Sequence, residues 1–151
     1  ISAWVDIFEQ TPQKKLIVFA VFRDTIHMLV ATLNAKGIKT APVYGGISLT
    51  ERSKSIEEFK PGDLNVLVIQ PQAGAHSLNL QVANTAVWFS LIPSNELYQQ
   101  ACARIVRPGQ KRNTLIIHLI SSPAEEHIAK ILERKAKMSE AVLDLFKHNQ
   151  L

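Results

Sequence analysis

The chain alternates short apolar runs with longer segments in which apolar residues recur at helical spacing. The short runs have the length of buried strands and lack polar alternation, which is typical of strands covered on both faces. They are predicted at residues 16–22, 40–44, 65–69, 85–91 and 114–120. Strands separated by helices indicate an α/β fold with a parallel sheet flanked by helices.

Helices are predicted between and after these strands, at residues 25–36, 49–59, 95–107 and from residue 123 towards the end of the chain. Ser48 with Glu51, and Ser122 with Glu125, have the spacing of capping boxes, and Gly37 is expected to end the first helix. The last helix carries an apolar stripe that should pack on the domain or on a partner. Its members are Ile128, Ile131, Leu132, Met138, Val142, Leu145 and Phe146.

Length and local pattern predict a single domain. A chain of 151 residues buries roughly 68–70% of its unfolded surface and has too little material for a second core. Residues 1–14 are expected to form a lead-in segment, in which Trp4, Ile7 and Phe8 suggest a short docked helix. Residues 15–151 are expected to form the domain.

Composition excludes several classes of protein. The excess of 17 Lys and Arg over 13 Asp and Glu mildly favours a polyanionic partner, and a solvated basic surface explains it as well. One cysteine excludes an internal disulfide, and no Cys/His cluster has the spacing of a metal site. No signal peptide or run of roughly 20 apolar residues occurs, so we expect no membrane partner and an intracellular location. Because the chain starts at Ile1, we expect it to be an excerpt of a longer protein.

Residues 100–110, Gln-Ala-Cys-Ala-Arg-Ile-Val-Arg-Pro-Gly-Gln, are the most informative segment. Gln100, Arg104 and Arg107 are spaced so that they would share one face of a helix. The Pro-Gly that follows would leave Arg107 near the helix end. Two guanidinium groups there suit an anion with several oxygens, although compensation of the helix dipole would also explain them.

A second segment, Gln70–Leu80, follows a predicted strand and consists largely of small and amide residues. Small side chains let backbone amides approach a phosphate or a sugar closely. An ordinary turn between a strand and a helix would have the same composition. Loops at the carboxyl ends of parallel strands often bind ligands, so residues 23–24, 45–48 and 92–95 are of interest as well.

These segments together resemble motifs V and VI of superfamily 2 helicases, most closely the Swi/Snf-type branch with its phage and bacterial members. That branch typically shows a small-residue motif ending in Asn-Leu and then Gln-Ala-x-x-Arg-x-x-Arg-x-Gly-Gln. The matching residues here are Ala73-Gly74, Asn79-Leu80 and Gln100 to Gln110. Residues 16–23 resemble motif IV, Tyr44-Gly45-Gly46 resembles the segment after it, and the likeness extends over about residues 15–137.

The resemblance implies a C-terminal, RecA-like motor lobe, a three-layer α/β/α domain with a long C-terminal helix. In that family ATP with Mg²⁺ binds between two lobes and is held mainly by the first, so the N-terminal lobe of the same parent protein is an expected partner. Arg107 matches the main arginine finger and Arg104 matches its neighbour near the γ-phosphate. Positions near ATP or at the interface between the lobes are matched by Gln100, Gly74, Ser77 and Asn79.

DNA, or RNA, is expected to cross the tops of the two lobes, held mainly by its phosphates. The candidate contacts are Arg23, Gly46, Ser48, Arg52 and His76. The pair Gly45-Gly46 would offer backbone amides to a phosphate or would form only a turn. A lobe of this kind would be cytoplasmic in a bacterium or phage host and nuclear in a eukaryote.

The chain departs from the family pattern beside the arginines, where Ala103 and Val106 stand for the usual Asp and His. It departs in motif V as well, at Pro71, Ala75 and Ser77. It has no phosphate loop and no acidic Mg²⁺ box at a strand end, so the chain alone is expected not to hydrolyse ATP. The alternative hypothesis is a non-catalytic α/β module that binds nucleic acid or protein; an unrelated nucleotide-binding domain would need a glycine fingerprint after the first strand.

Overall fold

A computed structural model of the chain describes residues 2–11, 14–60, 62–73, 80–106 and 110–148. Helices and strands alternate in this part of the chain. The strands are β1 (Leu16–Phe19), β2 (Thr40–Val43), β3 (Val66–Ile69), β4 (Thr85–Trp88) and β5 (Leu115–His118). The helices are α1 (Ser2–Gln10), α2 (Arg23–Ala35), α3 (Leu49–Phe59), α4 (Asn95–Cys102) and α5 (Pro123–His148).

The strands form one parallel sheet in the order β2-β3-β1-β4-β5. Strand β1 lies at the centre, where Leu16 is opposite Val66 on one side and Ile17 is opposite Ala86 on the other. All five predicted strands are confirmed, and each is shorter than its apolar run. All strands therefore end at the same edge of the sheet, which we call the carboxyl edge, and begin at the opposite, amino edge.

Helices cover both faces of the sheet, so the predicted three-layer α/β/α arrangement is confirmed. Successive residues of β1 enter different cores because side chains alternate across a strand. Ile17 and Phe19 join the core that contains Phe59, Trp88 and Leu132. Leu16 and Val18 join the second core, which contains the buried face of α2: Ile26, Leu29 and Leu33.

The predicted stop of α2 is confirmed in its backbone geometry. Gly37 has a positive φ of 78°, a conformation that glycine adopts without strain. Its amide donates to Asn34 O and the amide of Ile38 donates to Leu33 O, both at 3.0 Å. These two bonds satisfy carbonyls that the last turn of a helix leaves without partners.

The two expected capping boxes differ. At α3 the box is complete, because the Glu51 amide donates to Ser48 Oγ and the Ser48 amide donates back to the Glu51 carboxylate. At α5 the Glu125 amide donates to Ser122 Oγ, but the amide that donates to the Glu125 carboxylate belongs to Ser121, at 2.8 Å. These bonds from Ser121 lower the pKa of Glu125.

The apolar stripe of α5 is divided into two halves. Leu132 is buried in the core and Ile128 packs against it. Met138, Val142 and Leu145 are 68%, 44% and 65% exposed. Among the stripe residues whose side chains are described, those that pack into the core lie in the first half of α5.

The predicted lead-in helix is confirmed as α1. Ile7 and Phe8 pack against the second core, whereas the side chain of Trp4 lies outside the described part. The division into a lead-in segment, residues 1–14, and a domain, residues 15–151, stays a prediction.

Candidate functional site

Gln70 joins the loops at the carboxyl edge of the sheet. It directly follows β3, which lies between β1 and β2. Its side-chain amide donates to Val21 O at 3.1 Å, and its side-chain oxygen accepts a hydrogen bond from the Gly45 amide at 3.4 Å. The loop after β1 is thereby tied to the loop after β2. The sequence indicated a small and amide-rich segment here, but it gave no sign that Gln70 would bridge two loops.

Arg23 and Gly46, two of the expected nucleic-acid contacts, lie together at this edge. The Arg23 guanidinium stacks over the Tyr44 ring, 5.3 Å from its centre, and His27 meets the same ring edge-on with 5.3 Å between ring centres. A Cβ atom at Gly46 would lie 3.1 Å from the Tyr44 ring and 3.2 Å from Arg23 Nη2. Gly46 therefore leaves the room that the stacked arginine needs.

Tyr44 and His27 were not predicted as members of this group. The signal that identifies Tyr44 is its position, directly after β2 and before the glycine pair. The amide of Gly45 is already engaged by Gln70. Gly46 thus contributes to local packing, and its contact with a phosphate stays a prediction.

Ser48 and Arg52 are on α3 or at its start. The Ser48 hydroxyl accepts from the Glu51 amide at 3.2 Å and donates to the Glu51 carboxylate at 3.1 Å, so helix capping explains it. Arg52 is partly buried, and its Nε atom is buried without a hydrogen-bond partner among the described residues. Neither side chain contacts Arg23 through a hydrogen bond or ion pair within the described part of the chain.

The helix that carries Gln100 ends earlier than the sequence predicted. Helix α4 stops at Cys102, so the expectation of a helix through residue 107 is wrong at this end. Beyond it, the Arg104 amide donates to Ala101 O at 3.2 Å and the Ile105 amide donates to Cys102 O at 3.0 Å. These two bonds have the tighter, three-residue spacing, whereas the amides of Ala103 and Val106 donate to Gln99 O and Cys102 O with four-residue spacing, a mixture that is common at the end of a helix. Gln100 therefore lies within α4, whereas Arg104 lies in the turn that follows it.

A distant contact holds the chain just after the end of the helix. The Arg104 carbonyl accepts a hydrogen bond from the Leu80 amide at 3.2 Å, and Ile105 is fully buried in the core. These two contacts tie the residues after α4 to the core. We call residues 103–106 the arginine turn.

The arginine turn lies at the amino edge of the sheet. Its partner Leu80 belongs to the chain that leads into β4, and Gln110, in the chain that leads into β5, donates to Ala83 O at 3.2 Å. Arg23 and Tyr44 are at the opposite edge. The connection from Gln70 to Leu80 links the two edges.

Gln100 itself is exposed on α4, and its side-chain amide donates to the Glu96 carboxylate at 3.3 Å. It makes no hydrogen bond to the arginine turn among the described residues. Arg104 is partly buried. The structure therefore fixes the backbone of Arg104 and leaves the Gln100 side chain at the surface.

An aromatic group anchors α4 to the sheet. The Tyr98 hydroxyl lies 2.7 Å from Nε2 of His118, at the end of β5, and the Tyr98 ring stacks on Trp88 with 4.9 Å between centres. Burial raises the pKa of the Tyr98 hydroxyl and lowers the pKa of His118. Burial also raises the pKa of the neighbouring Cys102 thiol. All three groups are therefore held in their neutral forms near pH 7.

Several expected site residues lie outside the described residues, and they stay predictions. They are Arg107, Gly74, Ser77, His76 and Asn79. Within the described ranges, no group of three or more His, Cys, Asp or Glu side chains is arranged to hold a metal ion. None of the described helices is long and apolar enough to span a lipid bilayer.

Comparison with known proteins supports the resemblance found in the sequence. Residues 1–109 match the model of the helicase conserved C-terminal domain. The chain is 30% identical over 141 residues to DNA repair protein RAD5 of Cryptococcus neoformans, and 31% identical over 140 residues to the ATP-dependent helicase YqhH of Bacillus subtilis. It covers only 12% and 25% of the lengths of these two curated relatives.

A solved structure shows the same fold. The C-terminal part of the Fun30 ATPase domain superposes with a TM-score of 0.79 at 24% identity, over 87% of this chain and 44% of that chain. The parallel five-stranded sheet is therefore that of a RecA-like helicase lobe, with a long C-terminal helix. The chain therefore belongs to the helicase conserved C-terminal domain family, and the relatives that it matches are helicases of the Swi/Snf type.

Proposed function

We propose that the chain is the second lobe of a nucleic-acid-dependent ATPase or helicase, supplying Arg104 and Arg107 to an ATP site that the N-terminal lobe of the same parent protein completes. The observation that carries this proposal is the arginine turn. Its backbone is held by Ala101 and Cys102 on one side and by Leu80 on the other. A cation on a fixed backbone can stabilise developing phosphate charge without reorganising during the reaction.

The described residues fit one part of an ATP site and not the other. A triphosphate is bound by cations such as Arg104, whose charge cannot be lost at working pH. Mg²⁺ needs oxygen ligands such as carboxylates, and no cluster of them exists among the described residues. We therefore assign ATP and its Mg²⁺ mainly to the first lobe, with Gln100, Gly74, Ser77 and Asn79 of this lobe near ATP or at the interface.

The carboxyl edge is the proposed nucleic-acid surface. There the stack on Tyr44 orders the Arg23 side chain while leaving it exposed. An ordered guanidinium loses less conformational entropy when it binds a phosphate. Phosphate contacts of this kind carry affinity and not sequence, which suits DNA and RNA equally. The further proposed contacts are Gly46, Ser48, Arg52 and His76.

The positions of Arg23 and of the arginine turn support separate roles, in nucleic-acid binding and in ATP hydrolysis. Arg23 and Arg104 lie at opposite edges of the sheet. Gln70 bonds Val21 and Gly45 beside Arg23, and Leu80, ten residues later, bonds the Arg104 carbonyl. A motor that couples nucleic acid to ATP needs such a physical link.

The proposal is tested in the parent protein, with both lobes present, by measuring nucleic-acid-stimulated ATP hydrolysis. Arg107→Ala is expected to lower kcat by about 10³-fold or more and Arg104→Ala by a smaller factor. Arg134→Ala, which removes an exposed arginine on α5, is the matched control and should leave kcat within about twofold. Near wild-type turnover in Arg107→Ala would refute the arginine assignment.

Binding is measured separately on the same proteins. Arg23→Ala should weaken binding of DNA and RNA oligonucleotides to a similar extent and should reduce the salt dependence of that binding by about one counterion. If the parent sequence holds no phosphate loop and no acidic box, the non-catalytic module replaces the motor as the explanation.

A further inference from the structure

The side-chain amide of Gln110 contacts three backbone carbonyls in and around the arginine turn. Its amide nitrogen lies 3.2 Å from Gln81 O, 3.2 Å from Ala83 O and 3.3 Å from Ile105 O. A primary amide has two N–H donors, so these two hydrogens are shared among three carbonyls. One partly buried side chain thus joins three separate pieces of backbone.

The carbonyls that Gln110 contacts belong to the segments that matter for the arginine turn. Ile105 directly follows Arg104, and Gln81 directly follows Leu80, whose amide donates to Arg104 O. Gln110 and Leu80 therefore bind the same two segments to one another by independent hydrogen bonds. Leu80 and Ile105 are both fully buried, so the joint is anchored in the core.

We infer that Gln110 is a positioning residue that sets the backbone of the arginine turn against the end of the connection between β3 and β4. The inference rests on the proposed function, because only that proposal gives the arginines a role in ATP hydrolysis. The amides of the turn donate to carbonyls of α4, at Gln99, Ala101 and Cys102, whereas Leu80 and Gln110 tie the turn to the chain before β4. A movement of residues 81–83 is transmitted through the Gln110 amide to Ile105 and hence to Arg104.

The same arrangement makes Gln110 part of the link between the two edges. The connection begins at Gln70, which is bonded to Val21 and Gly45 beside the proposed nucleic-acid surface. It ends at the carbonyls that Gln110 holds. Loss of the Gln110 donors should therefore reduce the stimulation of ATP hydrolysis by nucleic acid, and not only the basal rate.

The test uses the two-lobe parent protein carrying Gln110→Glu. This change keeps the side-chain length but replaces the donor with a carboxylate that three carbonyls repel. We expect kcat for nucleic-acid-stimulated ATP hydrolysis to fall by about 10- to 100-fold, the loss typical of a small misplacement of a catalytic group. The KM for ATP and the affinity for nucleic acid should stay within about threefold, because the groups that bind the ground state are unchanged. Gln10→Glu makes the same change at an exposed position of α1 and should leave all three values unchanged.

Two further variants distinguish a positioning role of Gln110 from a purely structural one. Gln110→Lys retains N–H donors and should recover most of the lost kcat, whereas Gln110→Met, which has none, should behave like Gln110→Glu. Gln110→Met also replaces Gln110→Glu if the latter yields too little folded protein. Equal losses in Gln110→Lys and Gln110→Glu would overturn the inference.

Coupling to the arginines is measured in a mutant cycle. In an Arg104→Ala, Arg107→Ala background, studied by single turnover with enzyme in excess over ATP, adding Gln110→Glu should cost less than about threefold, because residues that act as a unit are not additive. An undiminished loss in that background would contradict a role through the arginines. If the arginine variants lose turnover while Gln110→Glu keeps it, only this inference fails; if the arginine variants keep turnover, the proposed function fails first.

Discussion

The change Tyr98→Phe isolates the hydrogen bond that anchors α4 to β5. It removes the hydroxyl that lies 2.7 Å from His118 Nε2 and keeps the ring that stacks on Trp88. The helix that precedes the arginine turn then loses its polar tie to the sheet but retains its aromatic packing.

The expected cost follows from the burial of the pair. A net hydrogen bond contributes about 0.5–1.5 kcal/mol, and a partner left unsatisfied in a buried place costs about 1–3 kcal/mol. His118 and Tyr98 are both partly buried, so a loss of about 2 kcal/mol in the free energy of unfolding is expected. For a domain of this size, that corresponds to a fall in Tm of about 4–8 °C.

Urea unfolding at pH 8, where His118 is neutral, measures this difference. The fluorescence of the buried Trp88 reports on the core beside Tyr98, and far-UV circular dichroism tests whether unfolding is two-state. Tyr44→Phe is the matched control, since the chain has two tyrosines and the Tyr44 hydroxyl makes no hydrogen bond to the described residues. It should change stability by less than about 0.5 kcal/mol.

The reasoning would be refuted if Tyr98→Phe were as stable as Tyr44→Phe. In that case water would replace the hydroxyl without cost, and the aromatic stack alone would hold α4. A loss well above 4 kcal/mol would also contradict it, because no single hydrogen bond explains such a value.

Two further predictions concern stability. Burial lowers the pKa of His118 below its usual value of 6.5, so the unfolded chain binds a proton at this residue more tightly than the folded chain does. The stability that comes from keeping His118 neutral is therefore complete above about pH 6.5 and is lost as the pH falls towards the lowered pKa. Urea midpoints at pH 5.5 and 7.5 should therefore differ more in the wild type than in His118→Gln; an equal difference would count against the burial effect. Ser48→Ala removes the cap of α3 and should lower the free energy of unfolding by about 1 kcal/mol. Ser53→Ala, at an exposed position in the middle of α3, is the control and should be neutral or slightly stabilising. Thermal unfolding of both variants measures the contribution of the cap.

Much of the fold could be predicted because its signals are local. The run Val66–Ile69 is apolar throughout and is buried throughout, so its pattern suffices to identify a strand covered on both faces. Gly37 ends α2 because a positive φ favours glycine. Ser48 and Glu51 are only three residues apart, so the capping box needs nothing beyond its own turn.

The contacts that hold the arginine turn could not be predicted, because the partners are distant in the sequence. Arg104 and Leu80 are brought together by the order of the strands, and the Leu80 amide bonds the Arg104 carbonyl, whose helical donor would be residue 108, a proline without an N–H. The contacts of Gln110 could not be predicted for the same reason, since two of its three acceptors lie before β4, far from Gln110 in the sequence. The roles of Arg104 and Arg107 stay predictions, and the helix that was expected to carry both ends at Cys102, before Arg104.

The position of β1 at the centre of the sheet has a consequence for how the chain acquires its fold. β1 is synthesised before both of its neighbours, and it pairs first with β3 and then with β4, which lie far along the chain. Pairing between distant segments is intrinsically slow, and until β4 is made one side of β1 has unpaired backbone groups beside apolar side chains. A nascent chain that ends before Thr85 would therefore expose β1 as an unpaired, aggregation-prone edge strand. For this lobe, aggregation therefore competes with folding during the interval between synthesis of β1 and synthesis of β4.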